Sequence, residues 1–292
     1  MWMVYAILTF FLWGIADLFY KKGNNDNDKY SHLKTGIMVG LVMGIHALIY
    51  YFSKDVKFDL MSVLKYLPVS LCYIISMIIG YKGLKYINLS ISSPIQNSSG
   101  LITSLLLVII FKVKLSIWEV IALIVMAIGV VMLSVIENKK DIKVAFKKIT
   151  VAAIMFPLLY CVIDGAGTFL DSIYLDMKEI IDEDMALIAY ELTFFIYGVI
   201  SFIYLKFKKV KIKVKDEKNR LSAAIFETLG QFTYVFAITS HSVITAPIVA
   251  CYSALSVLLS RIFLKEKISK LQYLALFLIF GSIIMLAILE EI

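Results

Sequence analysis

Ile91-Ser92-Ser93-Pro94-Ile95 is answered 153 positions later by Ile244-Thr245-Ala246-Pro247-Ile248. The same offset carries Lys112, Leu115 and Ser116 onto Lys265, Ile268 and Ser269, Val131-Met132-Leu133 onto Ile284-Met285-Leu286, and Tyr81 onto Tyr234. Apolar letters align cheaply in an apolar chain, whereas proline, tyrosine, lysine and serine at one ungapped shift do not. A shift of 147 adds Trp13 and Asp17, which fall on Tyr160 and Asp164. Self-similarity at a fixed offset constrains the architecture of a whole chain. This one reads as two copies of one unit, residues 1–137 and 148–292.

Each unit is built for lipid. Of 292 residues 61% are hydrophobic and 17% charged, with a mean hydropathy of +0.87, where a soluble domain is nearer half apolar and a quarter charged. The surplus apolar surface exceeds what one globular core can hold. Runs of spanning length lie at 2–20, 34–52, 63–81, 89–111, 117–136, 149–170, 186–205, 220–238, 242–264 and 271–289. Backbone polar groups in hydrocarbon must be satisfied within their own segment, so the runs predict helices; barrel strands would be about ten alternating residues. Five spans per unit is an odd number, so the second copy enters the membrane from the opposite side. The expected fold is an all-α membrane protein of ten transmembrane helices in two inverted five-helix repeats, an arrangement that recurs in secondary transporters with the solute site between the halves.

Charge orients the array. All but six of the 29 basic residues fall in the odd-numbered gaps between spans, the exceptions being Lys54, Lys57, Lys65, Lys112, Lys114 and Lys178. Cytoplasmic loops carry the Lys/Arg excess, so the odd gaps are expected inside and both termini outside a cell membrane. The sixth gap, with Asp171, Asp176, Glu179, Asp182, Glu183 and Asp184, fits an external loop. The net charge of +7 is thus topological and gives no reason to expect nucleic acid. No basic region precedes the first run at Trp2; its positive flank, Lys21 and Lys22, follows, as in a retained span rather than a cleaved signal.

Tyr81-Lys82-Gly83-Leu84-Lys85-Tyr86 followed by Ser92-Ser93-Pro94-Ile95 resembles the EamA pattern of the drug/metabolite transporter superfamily. So do Lys114-Leu115-Ser116 leading into Gly129-Val130, Leu264-Lys265-Glu266-Lys267-Ile268-Ser269 leading into Gly281, and the Trp13-Gly14 pair. The resemblance covers nearly the whole chain and names a superfamily rather than a substrate. It implies eight helices around a central cavity, with the fifth and tenth outside. The family is usually described with both termini in the cytosol, and the charges here point the other way.

An ionisable group at the centre of a spanning helix costs on the order of 3 kcal/mol, so each one needs a reason. Asp164 lies deep in the sixth span and Glu227 in the first half of the eighth, with no basic residue at comparable depth in either helix. Such a carboxylate either meets a cation or takes up a proton. Glu227, Gln231 and Tyr234 recur at helical spacing and share one face, which must look inward or onto water. Asp17 is either an interfacial partner of Lys21, four residues on, or a cavity residue. His46 reads as a hydrogen-bonded packing residue, and Glu191, early in the seventh span, as able to reach headgroups. Gln96-Asn97-Ser98-Ser99, just after Pro94, would serve interhelical hydrogen bonds or a cavity wall.

Trp13, Tyr81, Tyr160 and Tyr234 are paired by the repeat and would converge on the cavity, where aromatic faces beside carboxylates suit an organic cation. Trp118, Tyr50 and Tyr51 sit where interface anchors belong. The substrate-binding set expected is therefore Asp164, Glu227, Gln231, Tyr234, Tyr81, Trp13, Tyr160, Gln96 and Asn97, with Pro94 and Pro247 at matched bends for gating. The function expected is secondary active transport, by alternating access, of a small polar metabolite or organic cation, with Asp164 and Glu227 binding a cationic or zwitterionic solute or exchanging it for a proton; export of neutral amino acids or related metabolites is the alternative, and a non-transporting scaffold or sensor the alternative of another class.

Other chemistry is poorly served. Cys72, Cys161 and Cys251 lie within apolar runs without CxxC spacing, which fits neither a disulfide framework nor zinc. His32, His46 and His241 stand on separate segments without metalloprotease spacing, and no Walker phosphate loop occurs. No enzyme activity, cofactor or metal is expected. The partners expected are the small-molecule solute and the bilayer, with a homodimer as the one protein assembly considered.

Overall fold

The computed structural model describes residues 1–23, 28–83, 86, 92, 95–145, 151–212, 214–263, 265 and 268–290, and its regular structure is helical, without a strand among the described residues. The helices are α1 (Trp2–Gly23), α2 (Ser31–Lys54), α3 (Leu60–Gly83), α4 (Ser99–Phe111), α5 (Ile117–Ala145), α6 (Val151–Ser172), α7 (Glu183–Phe207), α8 (Lys218–Ala250), α9 (Tyr252–Phe263) and α10 (Lys270–Glu290). Among the described residues seven stretches are long and apolar enough to cross a bilayer, with Lys215–Phe263 counted as one, and Ser99–Phe111 and Ile117–Leu133 are shorter apolar helices. Large apolar side chains such as Val162, Ile200 and Phe277 remain exposed, as lipid contact requires. The chain is an all-α, multi-pass membrane protein.

Three boundaries differ from those the apolar runs predict. The fourth span, expected over 89–111, is a continuous helix only from Ser99, with Ser92, Ile95 and Gln96 helical ahead of a turn at Asn97 and Ser98, and Pro94, assigned to gating, lies outside the described residues. α5 runs on to Ala145 rather than stopping near 136, because Glu137, Lys139 and Lys140 are good helix formers once apolarity is no longer needed. The expected eighth and ninth spans appear as one 33-residue helix followed by α9, with a non-helical residue, His241 (φ −152°, ψ 61°), inside the first. The chain reverses there: the Thr245 hydroxyl donates to the Ala237 carbonyl at 3.1 Å, eight residues back, a distance no straight helix allows. The Asp176 carboxylate accepts the Ser242 N–H at 2.8 Å and so caps the returning helix. Asp176 therefore has a structural partner, unlike a residue of a free acidic loop.

α1 lies along α8, α3 along α6, α2 against α7, and α5 against α10, while α4 packs on α6 and α8, and α9 on α1. The α2–α7 contact is made by glycines. A Cβ on Gly40 would lie 2.5 Å from the Phe194 carbonyl oxygen and 3.0 Å from the Gly198 Cα, the close backbone approach that small residues permit in membranes. At the start of α3 the exposed Asp59 accepts from the Ser62 hydroxyl and from the Ser62 and Met61 N–H groups, and these bonds, the Ser62 hydroxyl first, hold its carboxyl below the usual carboxylate range.

Two polar pairs also join α2 to α7. His46 Nδ1 sits 2.8 Å from a Glu191 carboxylate oxygen, and the Tyr50 hydroxyl donates to Asp184 at 2.5 Å. Glu191 is completely buried, so it does not reach headgroups, because α7 turns it toward the α2 imidazole. His46→Ala leaves that carboxylate without its partner and is expected to cost about 3 kcal/mol in thermal or denaturant unfolding, while His46→Ala combined with Glu191→Leu recovers most of the loss. A single variant as stable as the wild type would show that the pair contributes nothing.

Candidate functional site

Between the helices lies a cavity of about 90 Å³, several times what one water molecule requires. Its walls come from α1 (Trp13, Asp17, Tyr20), α3 (Tyr73, Met77, Gly80, Tyr81), the approach to α4 and its first turn (Gln96, Asn97, Ser99, Gly100), α6 (Tyr160, Asp164, Thr168), α7 (Tyr190), α8 (Glu227, Tyr234, Ala246, Val249, Ala250) and α9 (Tyr252). Among the described residues α2, α5 and α10 contribute none to the lining. Among the described lining residues there are three carboxylates, no basic side chain, and eight aromatic rings of which seven are tyrosine.

Each carboxylate is held differently. Asp164 accepts the Ser99 hydroxyl at 2.7 Å and the Ser76 hydroxyl at 3.4 Å, so donors from α3 and α4 fix its position before any solute arrives. Glu227 is nine-tenths buried. Its backbone carbonyl accepts the Trp13 indole N–H at 3.2 Å, but its carboxylate makes no hydrogen bond or ion pair with another described residue. Asp17 reaches the cavity wall as well.

The aromatic walls depend on two glycines, one under each ring. Trp13 lies over Gly230, where a Cβ would come within 2.3 Å of the indole, and Tyr160 lies over Gly80, where a Cβ would come within 2.8 Å of the ring. Any side chain at either glycine would drive the aromatic into the cavity. Trp13 also stands 5.2 Å from Tyr234 and 5.9 Å from Tyr252, centroid to centroid.

Of the residues expected to bind substrate, Asp164, Glu227, Tyr234, Tyr81, Trp13, Tyr160, Gln96 and Asn97 stand together on this wall. Gln231 does not. It is buried, and its side-chain nitrogen finds no partner among the described residues. Four residues advance a helix by 400°, so Gln231 is turned about 40° from Glu227. Pro247 lies within the buried returning part of α8, beside the lining residue Ala246.

Asp171 departs most from expectation. Placed by sequence in an external acidic loop, it is a fully buried residue of α6. It accepts the Tyr66 hydroxyl, and the Tyr73 hydroxyl at 3.3 Å. Tyr73 in turn meets the Tyr234 hydroxyl at 3.0 Å and Thr168 at 3.1 Å. A polar network thus runs from the cavity wall through α3, α6 and α8. Seven residues separate Asp164 from Asp171, which puts both on one face of α6. That spacing was the available signal, and the neighbouring acids masked it. Tyr20, Tyr73, Tyr190 and Tyr252 also line the cavity without a sequence signal: Tyr20 and Tyr190 stand near span ends, where tyrosines usually read as interface anchors, and Tyr73 and Tyr252 are not matched to a second tyrosine or tryptophan by the repeat.

A family model described as the EamA-like transporter family matches residues 1–135 and 177–288. No curated protein matches the chain. One solved crystal structure, described only as that of a protein, covers 98% of this chain and 99% of its own at a TM-score of 0.72, with 11% identity, which speaks to the fold alone. With most of its length matched by that family model, the chain belongs to the EamA-like transporter family.

Proposed function

We propose that the protein is a secondary transporter that carries a small organic cation through the central cavity by alternating access. One observation carries this reading: the described cavity wall combines carboxylates with aromatic rings and has no basic side chain. An ammonium group entering it would meet Asp164 already positioned by two hydroxyls and Glu227 without a competing partner. The surrounding ring faces would supply cation–π attraction.

Alternating access requires two similar halves of opposite sense, comprising ten spanning segments. Helix packing supports this. Exchanging each helix with the one five places on, and counting the part of α8 after His241 with α9, turns the α1–α8 contact into α6–α3 and returns α2–α7 and α5–α10 to themselves. The Lys-rich gaps favour a cytoplasmic position for the end that holds Lys22 and Lys82, with both termini outside. Pro247 and its repeat partner Pro94 would lie at matched bends.

Counterflow tests the reading. Proteoliposomes loaded with unlabelled isopropylamine or alaninol should accumulate the labelled compound transiently, because a carrier exchanges one molecule for another. Liposomes that show no uptake above protein-free controls across a panel of small amines would remove this function.

A further inference from the structure

The cavity holds polar atoms that no protein group satisfies. The hydroxyls of Tyr20 and Tyr81 and the side-chain nitrogen of Gln96 are shut off from solvent and have no well-formed hydrogen bond among the described residues, although the two hydroxyls approach closely enough to act on each other. All three residues line the cavity. The Tyr20 and Tyr81 rings lie 5.1 Å apart, and the Gln96 nitrogen reaches the same stretch of α3, 3.2 Å from where a Cβ on Gly80 would stand. Were the two hydroxyls to turn toward each other, one O–H and the amide N–H groups would still lack an acceptor. Leaving such groups buried and unpaired costs roughly 1–3 kcal/mol each, and buried polar atoms normally find partners. Here the missing partner is an acceptor supplied from within the cavity.

We propose that Tyr20, Tyr81 and Gln96 form a subsite for an uncharged oxygen, a hydroxyl or a carbonyl, borne by the same amine that the carboxylates hold. The inference rests on the cation-transport reading and narrows its substrate class to amino alcohols and amino amides. A carboxylate is a poor occupant. It would share a small cavity with Asp164 and Glu227 and with no basic side chain among the described lining residues, and three neutral donors do not offset its desolvation. The subsite therefore separates this substrate class from free amino acids.

A matched set of ligands decides it: isopropylamine, alaninol, alaninamide and alanine share a skeleton and differ only at the group in question. Calorimetric titration of the purified protein should give alaninol and alaninamide about 10-fold tighter binding than isopropylamine, the worth of one net hydrogen bond, with alanine weakest. Gln96→Leu and Tyr81→Phe should abolish that preference, so that within each variant alaninol binds no tighter than isopropylamine, and Gln96→Asn should restore part of it. Equal binding of isopropylamine and alaninol, or tightest binding of alanine, overturns the subsite while leaving cation recognition intact. Failure of every amine to bind overturns the transport reading itself.

Discussion

Asp164→Asn is expected to weaken amine binding by about 100-fold, close to the 2–5 kcal/mol that truncating one member of a buried charged pair costs. The substitution preserves shape and keeps an acceptor oxygen for one of the two hydroxyls, while its NH2 group faces the other, since Ser99 and Ser76 donate to different oxygens of Asp164 at 2.7 and 3.4 Å. What it removes is the negative charge, at a point where the low-dielectric wall would magnify it. Glu227→Gln should have a smaller effect, near 10-fold, because no neighbouring donor holds Glu227 in place and a displaced ammonium could settle on Asp164. Titration of isopropylamine into both variants, with thermal unfolding as a check on folding, measures the pair. Wild-type affinity in Asp164→Asn would exclude this residue as the cation anchor.

The second large effect concerns assembly. Gly198→Leu is expected to prevent α2 and α7 from meeting and to abolish a monodisperse, folded protein in detergent. A Cβ at Gly198 would stand 3.2 Å from the Gly40 Cα and 3.4 Å from the Gly36 carbonyl oxygen. These are backbone atoms, which cannot swing aside as a rotamer can, so the cost should exceed the roughly 1–3 kcal/mol of ordinary overpacking. The same two helices carry the His46–Glu191 and Tyr50–Asp184 contacts, and separating them would expose a buried carboxylate to lipid. Gly198→Ala, whose methyl group asks for only a few tenths of an ångström, should fold with a lowered unfolding temperature. A well-behaved Gly198→Leu protein of wild-type stability would show that the crossing is not close in the membrane.

The sequence disclosed what hydrocarbon enforces. A span must be long, apolar and free of unpaired charge, so α1, α2, α3, α7 and α10 could be drawn from composition, and Asp164 and Glu227 stood out as exceptions needing a purpose. The repeat supplied the partners, since Trp13 and Tyr160, and Tyr81 and Tyr234, were identified by offset alone. Where spans meet water these signals fade. Asp171 sits at the edge of an acidic run and looks solvated, although α6 buries it against two tyrosines. The reversal at His241 has no glycine or proline to announce it, and its cap, Asp176, comes from another element. Gly36, Gly40 and Gly44 do recur at four-residue spacing, but only the facing helix shows which side of α2 they open.

The two tyrosines that donate to Asp171 have counterpart positions at the repeat offset, and the chemistry there is different. The offset that relates Tyr81 to Tyr234 carries Tyr73 to Phe226 and Tyr66 to Asn219. Phe226 stacks on Phe19 at 5.7 Å, and Asn219 donates to the Lys22 carbonyl at 3.4 Å. At one mouth of the bundle these positions make phenol–carboxylate bonds, and at the other they make a ring stack and one long amide bond, beside the Arg220 donation to Ser31 at 2.9 Å. On the proposed reading of two related halves, kinship does not make the two resting orientations of a carrier equal in free energy. Half-saturation measured from opposite faces would then differ, while the equilibrium solute ratio across an undriven membrane stays at unity.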